Sequence, residues 1–310
     1  MINKTYLYTT IWDDLNTVSL ISDSLYLYAH DPEDRSVYCA QALAENNPDT
    51  TFVQVSVDDQ DQMKVKGRDN PISLSSTRGI SMFLSTFNTP NIYIEVTGMS
   101  CRLAAPLMRC AIEKGMEVHV VYSEPKRYLL DEFKKEGLNQ DLSEACGGLI
   151  PLPSFAHIVP FRTEPIFVIL LGFEGGRFWY VINQKSLSYD KIKPIVGVPG
   201  YCIDYPYETY WGNRHPLQQT KAWERVEYAE ANSIVDSYMT LKRISYEKRN
   251  PNMVVAPIGT KPHAIGAILY AIKNSERVEL LYDNPKRSLH KTEGVGKILV
   301  CNVTKLFNEN

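Results

Sequence analysis

Two segments of this chain, residues 97–127 and 257–287, align with each other without a gap. Each segment is predicted to form a strand, a helix and a second strand that leads into the sequence Tyr-x-x-Pro-Lys-Arg. Each helix is expected to begin after a hydroxyl residue, Ser100 or Thr260, which is a residue type that caps free backbone N–H groups. The identical pairs include Ala104/Ala264, Ala111/Ala271, Ile112/Ile272, Val118/Val278, Tyr122/Tyr282, Pro125/Pro285, Lys126/Lys286 and Arg127/Arg287.

A strand–helix–strand unit of about 30 residues has the size expected for two parallel strands joined by a crossover helix. Any two such units share apolar positions, and this alternative accounts for the matched alanine, isoleucine and valine pairs. It accounts less well for the shared Tyr-x-x-Pro-Lys-Arg. We therefore expect an α/β fold of two Rossmann-like lobes with mainly parallel sheets, consistent with an internal duplication.

The chain is predicted to divide into its two lobes at a Gly- and Pro-containing link, residues 146–155. This link places an N-terminal Rossmann-like lobe at residues 1–150 and a C-terminal one at residues 151–310. The aromatic, turn-rich segment 201–216 is predicted to be an ordered loop that has a functional or packing role. The segment 217–248 is predicted to be helical.

Composition excludes several classes of protein. The net charge of −3 provides no overall basic field for nucleic acid. The six cysteines have no CxxC spacing, so we expect reduced thiols rather than disulfides or a zinc site. The N-terminal sequence has no apolar signal core, and no run approaches the roughly 20 apolar residues of a membrane span. We expect a cytoplasmic protein with no membrane contact, no metal and no cofactor.

Ligands of open parallel sheets bind beyond the carboxyl ends of the strands. The turns expected there read VTGMS, LGFEGGR, VGVPG and PIGTKP, and each contains glycine. Glycine lets the backbone approach a ligand, and a helix N-terminus carries a partial positive charge that suits phosphate or carboxylate. The alternative is that these glycines only make tight turns. Four such turns on one rim favour an anion site between the lobes. Its predicted ligand-binding residues are Gly98, Ser100, Arg102, Gly172, Arg177, Gly259, Thr260 and Lys261.

No catalytic motif accompanies these turns. They match neither the dinucleotide fingerprint GxGxxG nor the P-loop GxxxxGK[ST], and the chain has no HExxH and no GxSxG. Glu95, in an apolar strand, and Glu174, in a glycine turn, are candidates for a general base. Neither has a recognisable nucleophile or metal partner, so whether the protein is an enzyme stays open. His215 and His263 are expected in rim loops, in reach of a ligand.

The duplicated basic pairs suggest a second kind of surface. If the lobes are related by pseudo-symmetry, Lys126, Arg127, Lys286 and Arg287 would line one basic surface for nucleic acid or an acidic partner. The segment 284–297 adds further lysines around a Gly-Val-Gly turn. It is interpreted either as a solvated loop or as an anion-binding nest.

The duplicated unit, together with VTGMS and PIGTKP, resembles the Rossmann-like ligand-sensor families of prokaryotic antiviral defence. These are the CRISPR-associated Rossmann-fold (CARF) domains and the related SAVED sensors, which bind cyclic or linear oligonucleotides at the strand ends of Rossmann-like units. The CARF proteins often carry a nuclease domain with an RxxxxH motif. The sequence RISYEK at Arg243 lacks that histidine.

The resemblance implies a nucleotide-binding or phosphorylated-ligand-binding sensor, or an accessory subunit of a defence-type complex. Two alternatives stay open. One is a hydrolase or transferase acting on a nucleotide or sugar phosphate, and the other is a protein-interaction scaffold. A protein partner or a homo-oligomer fits each of them. The tyrosines of 201–210 and Trp211 are expected either to stack on a base or to pack against a protein partner.

Overall fold

The computed structural model of the 310-residue chain describes residues 5–31, 33–129, 142–155, 164–185, 188–249, 251–287 and 291–309. Among the helices in these ranges, none has the length and apolar character needed to cross a membrane. The six cysteines are all free, and Cys39, Cys101, Cys110 and Cys301 are buried.

The strands in chain order are β1 (Thr9–Trp12), β2 (Leu25–Tyr28), β3 (Thr51–Val57), β4 (Gln62–Val65), β5 (Ile72–Ser73), β6 (Asn91–Glu95), β7 (Glu117–Tyr128), β8 (Ser143–Cys146), β9 (Ile166–Leu170), β10 (Ile192–Gly197), β11 (Glu227–Ala229), β12 (Met253–Pro257), β13 (Val278–Leu280), β14 (Pro285–Arg287) and β15 (Thr292–Asn302).

The α-helices in chain order are α1 (Thr5–Tyr8), α2 (Tyr38–Asn46), α3 (Thr77–Ser85), α4 (Cys101–Glu113), α5 (Gly175–Lys185), α6 (Tyr205–Gly212), α7 (Arg214–Thr220), α8 (Ile234–Glu247), α9 (Lys261–Lys273) and α10 (Val303–Phe307). Helices and strands alternate along most of the chain, as the predicted α/β class requires.

The chain forms two compact units. Unit 1 contains Met1–Tyr128, Leu152–Ala156 and Thr292–Asn310, and unit 2 contains Leu129–Pro151 and His157–Lys291. The predicted boundary near residue 150 had placed the C-terminus in the second lobe. The C-terminal residues belong to unit 1 instead, because β15 pairs antiparallel with both β1 and β7.

Unit 1 has one sheet with the strand order β1-β15-β7-β6-β2-β3-β4-β5. Its centre, β7, β6, β2 and β3, is parallel, whereas both edges are antiparallel. The β2 residues Leu25, Tyr26 and Leu27 are fully buried, as expected for a central strand covered on both faces. One apolar cluster contains Tyr26 of β2, Leu43 of α2 and Val121 of β7.

Unit 2 has a five-stranded sheet with the order β11-β10-β9-β12-β13, and every neighbouring pair is parallel. Numbered by sequence, this order is 3-2-1-4-5, which is the Rossmann order without a sixth strand. Its core joins Phe167 and Ile169 of β9 to Phe178 of α5 and Ala256 of β12. The expectation of an α/β fold with mainly parallel, Rossmann-like sheets is confirmed.

The helices of the two duplicated segments have matching bounds. Helix α4 covers Cys101–Glu113 and α9 covers Lys261–Lys273, so each end is displaced by the same 160 positions as the gapless alignment. The residues before the two helices, Ser100 and Thr260, have nearly the same backbone angles, φ −71 and ψ 158 against φ −68 and ψ 158. The two Pro-Lys-Arg sequences do not form turns. The first lies in β7 and the second forms β14, which pairs antiparallel with β8.

Two local predictions were wrong. Segment 201–216 is not a loop, because it holds α6 and the start of α7. Segment 217–248 is not helical throughout, because β11 interrupts it and forms the third parallel strand of the unit 2 sheet.

Candidate functional site

The strand order of unit 2 reverses between its two central strands. Because β10 and β11 lie on one side of β9 whereas β12 and β13 lie on the other, the chain leaves β9 and β12 in opposite directions. A crevice at such a reversal is where open α/β sheets bind ligands. We call the two loops that follow these strands, residues 171–174 and 258–260, the unit 2 switch loops.

The switch loops are in close contact, and glycine makes this possible. A Cβ on Gly259 would lie 2.7 Å from the carbonyl oxygen of Leu171, and one on Gly172 would lie 3.1 Å from that of Ile258. The two predicted ligand-binding glycines of unit 2 therefore sit at the reversal point. Their close approach to each other is by itself a reason for glycine at these positions.

Helix α9 begins directly after the second switch loop. The Thr260 hydroxyl accepts a hydrogen bond from the His263 N–H at 3.3 Å and donates to the Ala231 carbonyl at 2.6 Å, as an N-cap residue does. Lys261, the first residue of the helix, is partly exposed. The first turn contains no acidic residue, so the helix supplies no carboxylate to its own positive end.

Arg177 of α5 lies inside unit 2 rather than on an open rim. Its guanidinium donates two bonds to Asp283, from Nε to Oδ2 and from Nη2 to Oδ1, both at 2.7 Å. Its Nη1 donates to Glu174 Oε2 at 3.2 Å and to the Ile258 carbonyl at 2.9 Å. Burial lowers the pKa of Arg177, but the hydrogen bond and charge of Asp283, together with the charges of Glu174 and Tyr282, outweigh burial and raise the pKa above its ordinary value.

Two further side chains complete what we call the Arg177 cluster, which comprises Arg177, Glu174, Asp283, Ser143 and Cys146. The Ser143 hydroxyl donates to Glu174 Oε2 at 3.2 Å, and the Cys146 thiol donates to Asp283 Oδ2 at 3.5 Å. Burial, and next the charge of Asp283, raise the pKa of the thiol to about 11. The cluster ties α5 to β8 and to the residues after β13.

This geometry changes the roles predicted for two residues. The guanidinium of Arg177 already faces two carboxylates, so it offers little charge to an anionic ligand. Glu174 is buried and holds two hydrogen bonds, which leaves it poorly placed as a general base. Asp283 was missed by the sequence analysis. The signal was an ionisable residue directly after the apolar run 280–282, at the position where the first repeat has Ser123.

The unit 1 sheet has an equivalent reversal between β2 and β6. Gly98 follows β6, and a Cβ there would collide with the carbonyl oxygen of Ala29, which follows β2. Ser100 is exposed and its side chain makes no capping hydrogen bond to α4. Arg102 forms an ion pair with Asp61, with Nε 2.7 Å from Oδ1. The predicted unit 1 residues are thus near the strand ends, but Arg102 is engaged within the unit.

Glu95, the last residue of β6, is fully buried. Its Oε2 accepts a hydrogen bond from the Tyr26 hydroxyl at 3.0 Å. Burial raises the pKa of Glu95 to about 8, although Tyr26, the backbone N–H of Ala40 and the Cys39 thiol act against it. The Tyr26 hydroxyl thus supplies the hydrogen bond that a buried carboxyl in an apolar strand needs. A buried carboxyl in the core has no open space for a substrate, which disfavours Glu95 as a general base.

Each unit places an arginine beside the equivalent tyrosine of the repeat, and the arginine is partly buried in unit 1 and buried in unit 2. Arg35 lies 5.8 Å from the ring centre of Tyr122 and donates to the Ser123 carbonyl at 2.7 Å. Arg177 binds Asp283, the residue after Tyr282. Ser123 and Asp283 are 160 positions apart, so the likeness of the repeats extends to a side-chain arrangement that the alignment did not reveal.

The prediction that His263 lies in a rim loop, in reach of a ligand, was wrong. His263 is fully buried in the first turn of α9, where its Nε2 lies 3.0 Å from the Glu230 carbonyl oxygen. Burial lowers the pKa of His263 to about 4, so the ring is neutral at pH 7. His215 is exposed on α7.

The basic residues of the repeat lie in strands. Lys126 and Arg127 are exposed on β7, and Arg127 forms an exposed ion pair with Glu293. Lys286 is exposed on β14, and the side chain of Arg287 lies outside the described residues. The expected Gly-Val-Gly turn is instead part of β15, so the nest interpretation of this sequence was wrong.

Within the described residues, no group of three or more His, Cys, Asp and Glu side chains is arranged to hold a metal ion. No protein-family model matches the chain, and no curated protein sequence matches it significantly. Among solved structures, CobK precorrin-6A reductase is similar over 86% of this chain and 90% of its own, with 10% identity and a TM-score of 0.23. A likeness at that score carries no argument about function.

Proposed function

We propose that this protein binds a nucleotide or another phosphorylated small ligand and acts as a sensor or accessory subunit of a complex of the prokaryotic antiviral-defence type. The observation that carries the proposal is the reversal of strand order between β9 and β12 in unit 2. Both strands lead through a glycine loop into a helix at this point. The defence role rests on the sequence resemblance alone.

Around the switch loops, the position that best suits a phosphate is the start of α9, which directly follows the second loop. The helix dipole provides a partial positive charge there, and Lys261 adds a full one. Gly259 and Gly172 keep side chains away from the backbone at the reversal point. Arg177 is neutralised by Asp283 and Glu174, and the Thr260 hydroxyl already donates its proton to the Ala231 carbonyl. We therefore assign phosphate recognition to Lys261 and to the backbone at the start of α9.

A sensor is favoured over an enzyme because both candidate bases are buried and hydrogen-bonded. A sensor holds its ligand without converting it. Binding to the folded state alone raises thermal stability by mass action, so a thermal-shift series with mononucleotides, cyclic dinucleotides and larger cyclic oligonucleotides tests the proposal. We expect at least one of them to raise the melting temperature and to be recovered unchanged after incubation.

The Lys261→Glu variant locates the site. An acidic residue in the first turn of a helix is favoured by the dipole, so this change is not expected to destabilise α9. We expect it to abolish the ligand-induced shift, whereas Lys248→Glu, at an exposed lysine of the same unit, leaves the shift intact. A ligand that is consumed would replace the sensor by an enzyme. No shift with any ligand would favour the scaffold, and an unchanged shift in Lys261→Glu would place the site elsewhere.

A further inference from the structure

Helix α6 and the residues on either side of it expose large apolar side chains on one face. Ile203 is 94% exposed, Tyr207 is 77% exposed and Trp211 is 45% exposed. Tyr207 and Trp211 are four positions apart on the helix and therefore share a face. Together with Asp204 and Arg214 at its two ends, we call this surface the α6 face.

Helix α6 is anchored in unit 2 on its other side, so its exposed apolar residues are not those that hold it in place. The opposite side of α6 buries Tyr205, Thr209 and Gly212. Tyr205 makes an edge-to-face ring contact with Phe173 of the first switch loop, with ring centres 5.2 Å apart. Asn213 donates to the Gly172 carbonyl at 2.7 Å. The helix is thus fixed on its inner side, and the α6 face is a second apolar surface turned to solvent.

The composition of the α6 face is typical of protein interfaces. Tyrosine, tryptophan and arginine contribute most of the binding energy where proteins meet. The Arg214 guanidinium lies 4.2 Å from the ring centre of Trp211 and donates to the Trp211 carbonyl at 2.6 Å, so it is held in place beside the aromatic side chain. Because Arg214 is already held beside Trp211, ordering its side chain in a complex costs little additional conformational entropy.

Charge indicates which kind of partner fits. Residues 204–225 contain three acidic residues (Asp204, Glu208 and Glu224) and three basic residues (Arg214, Lys221 and Arg225). The segment is therefore neutral, which disfavours an anionic polymer such as nucleic acid. The charges of the α6 face are also ordered, because Asp204 precedes the apolar stripe and Arg214 follows it.

This order is self-complementary. When two such helices pair about a two-fold axis that is perpendicular to them, they run antiparallel, and Asp204 of each copy meets Arg214 of the other while the apolar residues meet at the centre. The antiparallel arrangement also pairs the helix dipoles favourably. We propose that the α6 face is a two-fold interface between two copies of this chain, with Ile203, Tyr207 and Trp211 at its centre.

Sedimentation velocity of the 310-residue chain over a concentration series tests the proposal. We expect the wild type to form a dimer. The double change Ile203→Ser and Tyr207→Ser is expected to weaken dimerisation at least about tenfold, because it removes two apolar anchors. The matched control is Tyr246→Ser on α8, where an 80% exposed tyrosine of the same unit is removed and the dimer is expected to persist.

A charge swap separates the interface from any effect on folding. Asp204→Arg and Arg214→Asp are each expected to weaken the dimer, because like charges then face each other across the axis. Combining the two changes restores opposite charges, so the double variant is expected to dimerise more tightly than either single one. A monomeric wild type would overturn the proposal and leave the face to a different protein. A dimer that none of these changes weakens would overturn it by placing the interface elsewhere.

Discussion

Asp283→Ala is expected to destabilise unit 2 more than any substitution of an exposed carboxylate. The side chain is completely buried and accepts two hydrogen bonds at 2.7 Å from one guanidinium. Removing one partner of a buried ion pair costs about 3–5 kcal/mol, because the other charge stays in the interior without compensation. Glu174 and the Ile258 carbonyl still contact Arg177 after the change. We therefore expect the free energy of unfolding to fall by about 3 kcal/mol, at the lower end of this range.

Tryptophan fluorescence during urea unfolding measures this loss mainly in the unit concerned. Of the four tryptophans, Trp179, Trp211 and Trp223 belong to unit 2 and only Trp12 belongs to unit 1. The matched control is Glu247→Ala in the same unit, which removes the more exposed of the two carboxylates that pair with Arg243, the other being Glu227. For that pair we expect about 0.5 kcal/mol or less.

Ranking three variants of the Arg177 cluster by their loss of stability provides a further check. Arg177→Met is expected to destabilise more than Asp283→Ala, since it leaves two buried carboxylates instead of one buried guanidinium. Glu174→Gln is expected to destabilise least, because an amide oxygen can still accept from Arg177 and Ser143. If Asp283→Ala unfolded at the same urea concentration as Glu247→Ala, the buried pair would have no special weight and the reasoning would be refuted.

Three further predictions concern single residues. Thr260→Ala is expected to lower the unfolding free energy by about 1 kcal/mol, because it removes a capping bond, whereas Ser100→Ala changes it little; equal losses in thermal unfolding would contradict this. Gly175→Ala is expected to cost about 1–3 kcal/mol through a backbone collision, whereas Gly176→Ala meets open space and stabilises α5 by up to about 1 kcal/mol; reversed melting temperatures would count against it. Burial holds the pKa of Glu95 at about 8 against an ordinary 4.5, so the folded protein retains a proton that the unfolded chain releases between these pH values. Wild-type stability should therefore fall by up to about 1.4 kcal/mol per pH unit as pH rises through this window, and urea titrations of Glu95→Gln should lack that slope.

The repeat was the part of the fold that the sequence predicted best. Its strands are apolar, its helices are long enough to show a period, and Ser100 and Thr260 mark where they begin, so the bounds of α4 and α9 could be foreseen. Strand β11 could not, because it has three residues and its burial depends on β10 beside it. The start of α6 was obscured by Pro206 and by closely spaced aromatic residues, which are also common in ordered loops.

The candidate site was predicted as a set of loops more accurately than as a set of side chains. Glycine after a strand signals a close backbone approach, and Gly172 and Gly259 do meet at the unit 2 reversal. The state of Arg177 was not predictable, because its partner Asp283 is 106 positions away along the chain. Pairing between distant residues depends on the finished fold, so a basic residue near a predicted rim does not reveal whether its charge is already neutralised.

The position of β15 has a consequence for how the chain is made. In the described sheet of unit 1, β15 lies between β1 and β7 and is the neighbour through which β1 joins the sheet. A ribosome therefore releases β1 nearly 300 residues before its pairing partner, whereas β9 to β13 of unit 2 emerge in succession and complete their sheet earlier. Until β15 has been synthesised, β1 lacks its partner strand in this sheet and one edge of β7 stays open to other chains. A chain that is truncated before Thr292 carries both defects permanently, which makes its N-terminal part a target for chaperones and proteases even when unit 2 has folded.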